Sequence, residues 1–363
     1  MLRKDLLLKR ICITLGVLLL LAIFFCIWFI TLLPKNMNTD ELKATQPHDI
    51  PYVNNAVRAQ RGKILAVVTS TSVMGESGKK TGYELTELAR AHYVFKSNGF
   101  DVDVASPQGG TPPVVIDGDD MGEFDFAFLN DKLAQQKVEN SLELSKVDEA
   151  DYDAVFFVGG KGAMFDFPQN EAIHSIVSNY YESGKVVGAV CHGPAALVNV
   201  KLKNGTDFVA NKKVTSFTND EELFLIPDAK SVFPFLLQTK LEQRGANFNQ
   251  SPIYLEQVVS DGNLVTGQNP WSVWKLAETM VQQLGYEPLT RKVTAEENTV
   301  NVLSIYEEQG YSQAKAKIKS LQSQDENSVD RMLLAMHGLV SVMKFDVGKF
   351  FSLAGLLASA DND

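Results

Sequence analysis

The chain has 363 residues, 45% hydrophobic and 21% charged, an ordinary balance for a globular protein with a good-sized core, and its length suggests two or so domains. A net charge of −10, with no basic run in the soluble part, excludes nucleic acid as a partner, because phosphate binding requires a basic face.

Ile11 to Leu33 is an apolar run without a charged residue, ended by Pro34. It is long enough to cross the ~30 Å hydrocarbon layer of a bilayer as a helix. Arg3, Lys4, Lys9 and Arg10 precede it against Asp5 alone, whereas Lys35 and Lys43 after it are balanced by Asp40 and Glu41. The positive-inside bias therefore predicts a single-pass membrane protein with a cytoplasmic N-terminus and the remainder extracytoplasmic, periplasmic in a bacterium. A cleavable signal peptide is the rival, but Thr31-Leu32-Leu33-Pro34 offers no small-residue cleavage site, so an uncleaved anchor over 1–34 is expected. Cys12 and Cys26 lie in this span, leaving Cys191 as the one thiol beyond it and no internal disulfide.

Residues 35–60 are polar and mixed, and read as a tether. A domain over 61–287 follows in which strands and helices alternate. Strands are expected at Ile64–Val68, Val102–Ala105, Ala154–Val158 and Lys185–Val190, and helices at Tyr83–Ser97 and Asn170–Ser183. This alternation predicts an α/β fold with a largely parallel sheet and helices on both faces. In such sheets the site lies beyond the carboxyl ends of the strands, where both Gly159-Gly160 and Cys191 fall. Past Pro288 the strand signal ends. Helical spacing appears in Thr299–Gln309, Gln313–Leu321, Val329–Met343 and Lys349–Ala358, and the turns at Gly310-Tyr311 and Lys344-Phe345 are 34 residues apart. That is the tetratricopeptide period, on a thin consensus; a plain helical appendix over 288–363 fits as well. Either form offers a surface for a homodimer or a protein partner.

Cys191 stands in Gly-Ala-Val-Cys-His-Gly-Pro-Ala-Ala-Leu (188–197), between an apolar strand and a helix-like run from Ala195. A cysteine at such a turn is a nucleophile elbow in thiol form, and a helix N-terminus behind it favours the thiolate. A nucleophile needs a base, for which His192 is placed, and the base needs an acid to fix its tautomer. Asp220, Glu221 and Glu222 are the candidates; the same cluster also reads as a helix N-terminus. Gly159 and Gly160 form a side-chain-free turn whose amides, beside that of Cys191 or His192, suit an oxyanion. His48, His92, His174 and His337 are scattered without ligand-like spacing, so no metal is demanded, and His92 is expected at the surface.

These motifs, together with Gly-Gly-x-Gly-Ala-Met-Phe-Asp-Phe-Pro (159–168), Thr81–Glu87, Val214–Thr218 and Asp261–Pro270, resemble the ThiJ/PfpI superfamily, and within it the chaperone-glyoxalase branch, over roughly 60–285. The resemblance implies the flavodoxin-like, doubly wound sandwich fold of class I glutamine amidotransferases. It places the nucleophile on Cys191, the histidine on His192, the triad acid on Glu222 with Asp220 and Glu221 close by, and a glutamate beside the sulfur on Glu87, Glu84 being expected in solvent. That glutamate is expected to share a proton with the thiolate. Lys161 departs from the histidine often found in the Gly-Gly-His-Gly turn; a lysine there would depress the thiol pKa or narrow the pocket, and it bears on substrate choice. The sequence after Pro113 also departs from the branch. The implied activity is a cofactor-free glyoxalase converting methylglyoxal-type 2-oxoaldehydes to 2-hydroxy acids through a Cys191 hemithioacetal. The alternatives are a Cys-His-Glu amidase or peptidase, which gives Glu87 no clear role, and a tethered chaperone or scaffold acting through its C-terminal helices.

Overall fold

The computed structural model describes residues 39–118, 121–324 and 329–360, with Ile13, Gly16 and Thr31. The apolar run expected to span a membrane therefore lies outside the described residues apart from those three positions. Among the described residues no helix is long and apolar enough to cross a membrane. The chain divides into one compact unit of residues 38–292 and a second of residues 1–37 with 293–363.

The first unit is built on seven strands: β1 (Gly62–Val67), β2 (Phe100–Ser106), β3 (Leu142–Glu143), β4 (Ala154–Phe157), β5 (Val186–Val190), β6 (Val258–Asp261) and β7 (Leu264–Gly267). Their order across the sheet is β6-β7-β5-β4-β1-β2-β3. All neighbours run parallel except β6, which pairs antiparallel with β7 at one edge. In β4 and β5 every residue is buried, as expected of central parallel strands covered on both faces. Toward the other edge Asp101 and Asp103 of β2 are only half-buried.

Four helices position the site: α1 (Leu85–Ser97), α2 (Glu171–Ser183), α3 (Asn219–Leu225) and α4 (Val273–Gln283). The start of α2 is set by Asn170, whose Oδ1 accepts from the Ile173 N–H at 3.1 Å, and its end by Gly184 at φ 81°. On one face of the sheet Leu65, Val67, Phe157 and Val187 pack with Phe167 and Ile173 into a continuous apolar core. The shared sheet brings the ends of β4 and β5, and so Gly159 and Cys191, side by side.

Two expectations are corrected here. Residues 39–60 do not form a free tether: Ile50 and Tyr52 are buried, Tyr52 Oη accepts from Asn98 Nδ2 at 3.1 Å, and the Val57 N–H donates to Ser97 O at 2.8 Å. These two buried side chains and the two hydrogen bonds fasten a mainly polar stretch to the end of α1. The run after Cys191 is not an α-helix but a five-residue 3₁₀ turn, Gly193–Leu197.

In the second unit, α5 (Ala295–Gln309), α6 (Tyr311–Ser323), α7 (Arg331–Met343) and α8 (Val347–Ser359) pack as the pairs α5–α6 and α7–α8. A capping box of Thr294 with Glu297 opens α5, and Asp330 and Asp346 cap α7 and α8. Gly310 separates the first pair at φ 85°, and Phe345 separates the second at φ 61°.

Candidate active site

Cys191 follows β5 directly and holds φ at 57°, in the left-handed region that a non-glycine residue enters at a cost of about 1–3 kcal/mol. Two hydrogen bonds fix it there: its N–H donates to Gly267 O at 2.9 Å, and its carbonyl accepts from the Phe217 N–H at 2.8 Å. Gly193 permits the tight exit, since a Cβ at that position would lie 2.2 Å from Phe157 O. The elbow is thus real, but its electrostatics differ from expectation. With only a short 3₁₀ turn behind the sulfur, burial dominates and pushes the thiol well above its ordinary range; the Glu87 charge adds to this, and Lys161 opposes it. Lys161 itself is half-buried in the turn after β4.

His192 is 2% exposed, with Nδ1 3.3 Å from Cys191 Sγ and Nε2 2.6 Å from Glu222 Oε2. Its ring lies between Phe217 and Phe233, at centroid distances of 4.7 and 6.1 Å. With Nε2–H donating to the carboxylate, Nδ1 presents its lone pair to sulfur, the tautomer a base requires. Glu222 is fourth in α3, a helix nucleated by the capping box of Thr218 and Glu221. Both readings of the acidic cluster therefore hold: it is a helix N-terminus, and one of its members meets the imidazole. Asp220 is exposed and Glu221 turns elsewhere.

Glu87, third residue of α1, is fully buried. Its Oε2 accepts the Gly159 N–H at 2.7 Å, and its Oε1 is buried without a hydrogen-bond partner. Burial first, then the charge of Glu84, raise the Glu87 carboxyl well above the usual range, while hydrogen bonds from Cys191 and Gly159 oppose the rise. Two negative charges in this dry space are mutually unfavourable, so each group resists ionising beside the anion of the other. Glu84 is half-buried rather than in solvent, at the N-cap position of α1 three residues before Glu87.

The oxyanion assignment divides. The Gly159 N–H is committed to Glu87 and the Cys191 N–H to Gly267, whereas the N–H groups of Gly160 and His192 donate to no acceptor. Gly159 is instead a spacer: a Cβ there would lie 2.5 Å from Glu87 Oε2 and 2.8 Å from Cys191 Cβ. His92 is also displaced from expectation. It is buried beside Phe128, 5.2 Å between ring centroids, and its pKa is lowered to about 3 by burial and by Lys96 and Lys137. An i, i+5 offset from Glu87 turns it onto another buried face of α1. Among the described residues no cluster of histidine, cysteine and carboxylate side chains has the form of a metal site.

Two features escaped the sequence reading. The aromatic pair around His192 had no spacing signal, because Phe233 arrives from a separate loop. Glu221 had one, since Thr218-x-x-Glu221 is a capping-box pattern. Its Oε2 accepts from the N–H and hydroxyl of Thr218, and its Oε1 from Tyr254 N–H, Gln268 Nε2 and Asn269 Nδ2, all within 3.0 Å.

With this geometry in view, the sequence profile of the DJ-1/PfpI family matches residues 79–283. "Glyoxalase 3" of Candida albicans is 31% identical over 229 residues, covering 60% of this chain and 96% of that protein. "Glutathione-independent glyoxalase hsp3102" of Schizosaccharomyces pombe is 31% identical over 234 residues, covering 60% and 97%. Among solved structures, Rapid Encystment Protein 24 KDa of Francisella tularensis is similar with a TM-score of 0.58 and 38% identity, over 61% of this chain and 99% of that one. Glyoxalase III of Candida albicans aligns with a TM-score of 0.56 and 28% identity, over 62% and 98%.

Proposed function

The chain belongs to the DJ-1/PfpI family, and from that premise and the geometry around Cys191 we propose that it is a glutathione-independent glyoxalase, converting a 2-oxoaldehyde such as methylglyoxal and water into the 2-hydroxy acid. The observation that carries this reading is Glu87: a wholly buried carboxyl beside the sulfur, with its pKa raised and one oxygen without a partner. An amidase or peptidase would use Cys191, His192 and Glu222 but has no task for that group. A proton shuttle between adjacent carbons requires it.

The chemistry balances within the site. Cys191 passes its proton to His192 Nδ1, and the sulfur adds to the aldehyde carbon. The carbonyl pair moves to oxygen, which takes the proton back from His192 and gives a hemithioacetal. Glu87 as carboxylate removes the hydrogen from that carbon; the C–H pair becomes the C=C bond of an enediolate as the hemithioacetal hydroxyl passes its proton, by way of His192, to the neighbouring ketone oxygen. Glu87 then returns its proton to the second carbon, and the first collapses to a thioester. Water adds to the thioester, the C–S bond breaks, and the acid leaves with the Cys191 thiol restored. One carbon is oxidised and its neighbour reduced, so no external electron carrier enters. The Gly160 and His192 amides are the donors left for the oxygen that gains charge. Lys161, half-buried nearby, counters the negative charge of the Glu87–Cys191 pair.

The same proposal extends to the rest of the chain. Residues 11–33 anchor the enzyme in a membrane with its catalytic unit on the extracytoplasmic side, on the strength of the uncharged apolar run and the four preceding basic residues. The C-terminal helices supply a surface for a second copy or a protein partner. Lactate formation from methylglyoxal by the full-length chain, without glutathione, tests the activity. Its absence, with Cys191 still reactive toward an alkylating agent, would overturn the glyoxalase reading. Extraction of the protein from membranes by alkaline carbonate would overturn the anchor.

A further inference from the structure

A cavity of about 420 Å³ opens on the first unit, away from the sulfur, where α3 faces the helix Leu237–Gln243. Leu223, Phe235 and Leu236 give it an apolar wall, and Lys230 and Lys240 border it. Among the described residues neither lysine forms an ion pair with a carboxylate, and Lys240 Nζ lies 5.7 Å from the Phe235 ring centroid, over the apolar wall. Asn219 also lines the cavity. Its Nδ2 donates to Thr239 Oγ1 at 2.8 Å, which holds the amide in place, and its Oδ1 is buried with no hydrogen-bond partner.

We propose that this cavity binds an organic anion: a molecule with an apolar body against Leu223, Phe235 and Leu236 and a carboxylate or phosphate head between Lys230 and Lys240. The volume falls in the range of small-molecule sites, about 300–1,000 Å³, so a three-carbon acid of the kind released at Cys191 leaves most of it unfilled. Two uncompensated cations in a chain of net charge −10 select for negative charge at this one place, and lysine serves carboxylate and phosphate alike as a point charge. The position couples the cavity to the thiol site. Asn219 stands three residues before Glu222 on α3, and Phe235 two residues after Phe233, which stacks on His192. Occupancy therefore bears on both supports of the imidazole; this consequence for activity rests on the glyoxalase reading, whereas binding itself does not.

Isothermal titration of the full-length chain with octanoate and, separately, with AMP tests the proposal and distinguishes the head group. At least one of them is expected to bind saturably at one site per chain, more weakly as salt is raised. The double variant Lys230→Glu/Lys240→Glu should weaken that binding at least tenfold, and Lys230→Gln/Lys240→Gln by a smaller factor. Saturable binding to neither probe, or equal affinity in the wild type and the charge-reversed variant, would overturn the site. Because titration heats do not depend on turnover, that result is separable from a failure to form lactate.

Discussion

Adjacent glutamates on α3 are assigned opposite tasks, and Glu221→Ala tests the structural half of that assignment. Glu221 accepts five hydrogen bonds, and its removal leaves the N–H groups of Thr218 and Tyr254 and one N–H each of Gln268 and Asn269 without an acceptor. The Thr218 hydroxyl can rotate, while Gln268 and Asn269 keep second bonds to Ser251 O and Leu255 O. Four orphaned donors at the low end of about 1–3 kcal/mol each amount to roughly 4 kcal/mol. Tyr254 adds to the loss, because its backbone sits at φ 60° and the bond to Glu221 helps to hold it there. For a unit of this size about 1 kcal/mol corresponds to 2–4 °C, so the melting temperature should fall by roughly 10 °C. The assay is thermal unfolding followed by tryptophan emission, since the Trp271 ring lies 5.5 Å from that of Tyr254 and reports the same corner. A shift under about 2 °C would refute the reasoning, because it would show that the five bonds exchange for water without cost.

Glu222→Gln should leave stability within about 1 kcal/mol, the amide still accepting from His192, while lowering kcat on methylglyoxal by about 10²-fold or more through loss of the imidazole's orientation. Gly159→Ala places a methyl between Glu87 and Cys191; an overpacking cost of about 1–3 kcal/mol and loss of lactate formation are expected, checked by melting and product assay. The pH dependence of Cys191 alkylation should move in opposite directions in two variants: Glu87→Gln removes a charge that raises the thiol pKa and shifts the profile to lower pH, whereas Lys161→Met removes one that lowers it and shifts the profile upward. His92, neutral in the fold down to about pH 3 but protonated near 6.5 when unfolded, destabilises the protein as pH falls through that interval. Acidification from about 6.5 to 5 costs about 2 kcal/mol through this residue, and His92→Phe should flatten the decline in melting temperature over that span.

The parallel sheet was legible because Ile64–Val67, Ala154–Phe157 and Val186–Val190 are short continuous runs without a polar side chain, the signature of strands buried on both faces. The pairing of Cys191 with His192 was legible from adjacency at an elbow. Periodicity alone did not say which acid meets the imidazole, since Asp220, Glu221 and Glu222 differ only by rotation around α3; the family resemblance pointed to Glu222, where the contact is found. The oxyanion donors were half legible: glycines announced a turn, but only coordinates show that the Gly159 amide is spent on Glu87, 72 residues away in sequence. The helix expected after Ala195 failed for a local reason, as Gly193-Pro194 starts a 3₁₀ turn that ends after Leu197. Residues 39–60 misled by composition, because Ile50 and Tyr52 fix a segment whose other residues are mainly polar.

The measurement closest to the central claim is mass spectrometry of the Cys191 peptide after rapid mixing of Glu87→Gln with methylglyoxal, read beside lactate release. The account predicts that this variant traps one methylglyoxal on Cys191 as the hemithioacetal, or its reduced derivative after borohydride, and releases no lactate, because the sulfur can add but nothing moves the carbon-bound proton. Lactate release at the wild-type rate by Glu87→Gln, or lactate formation by Cys191→Ala, would contradict it.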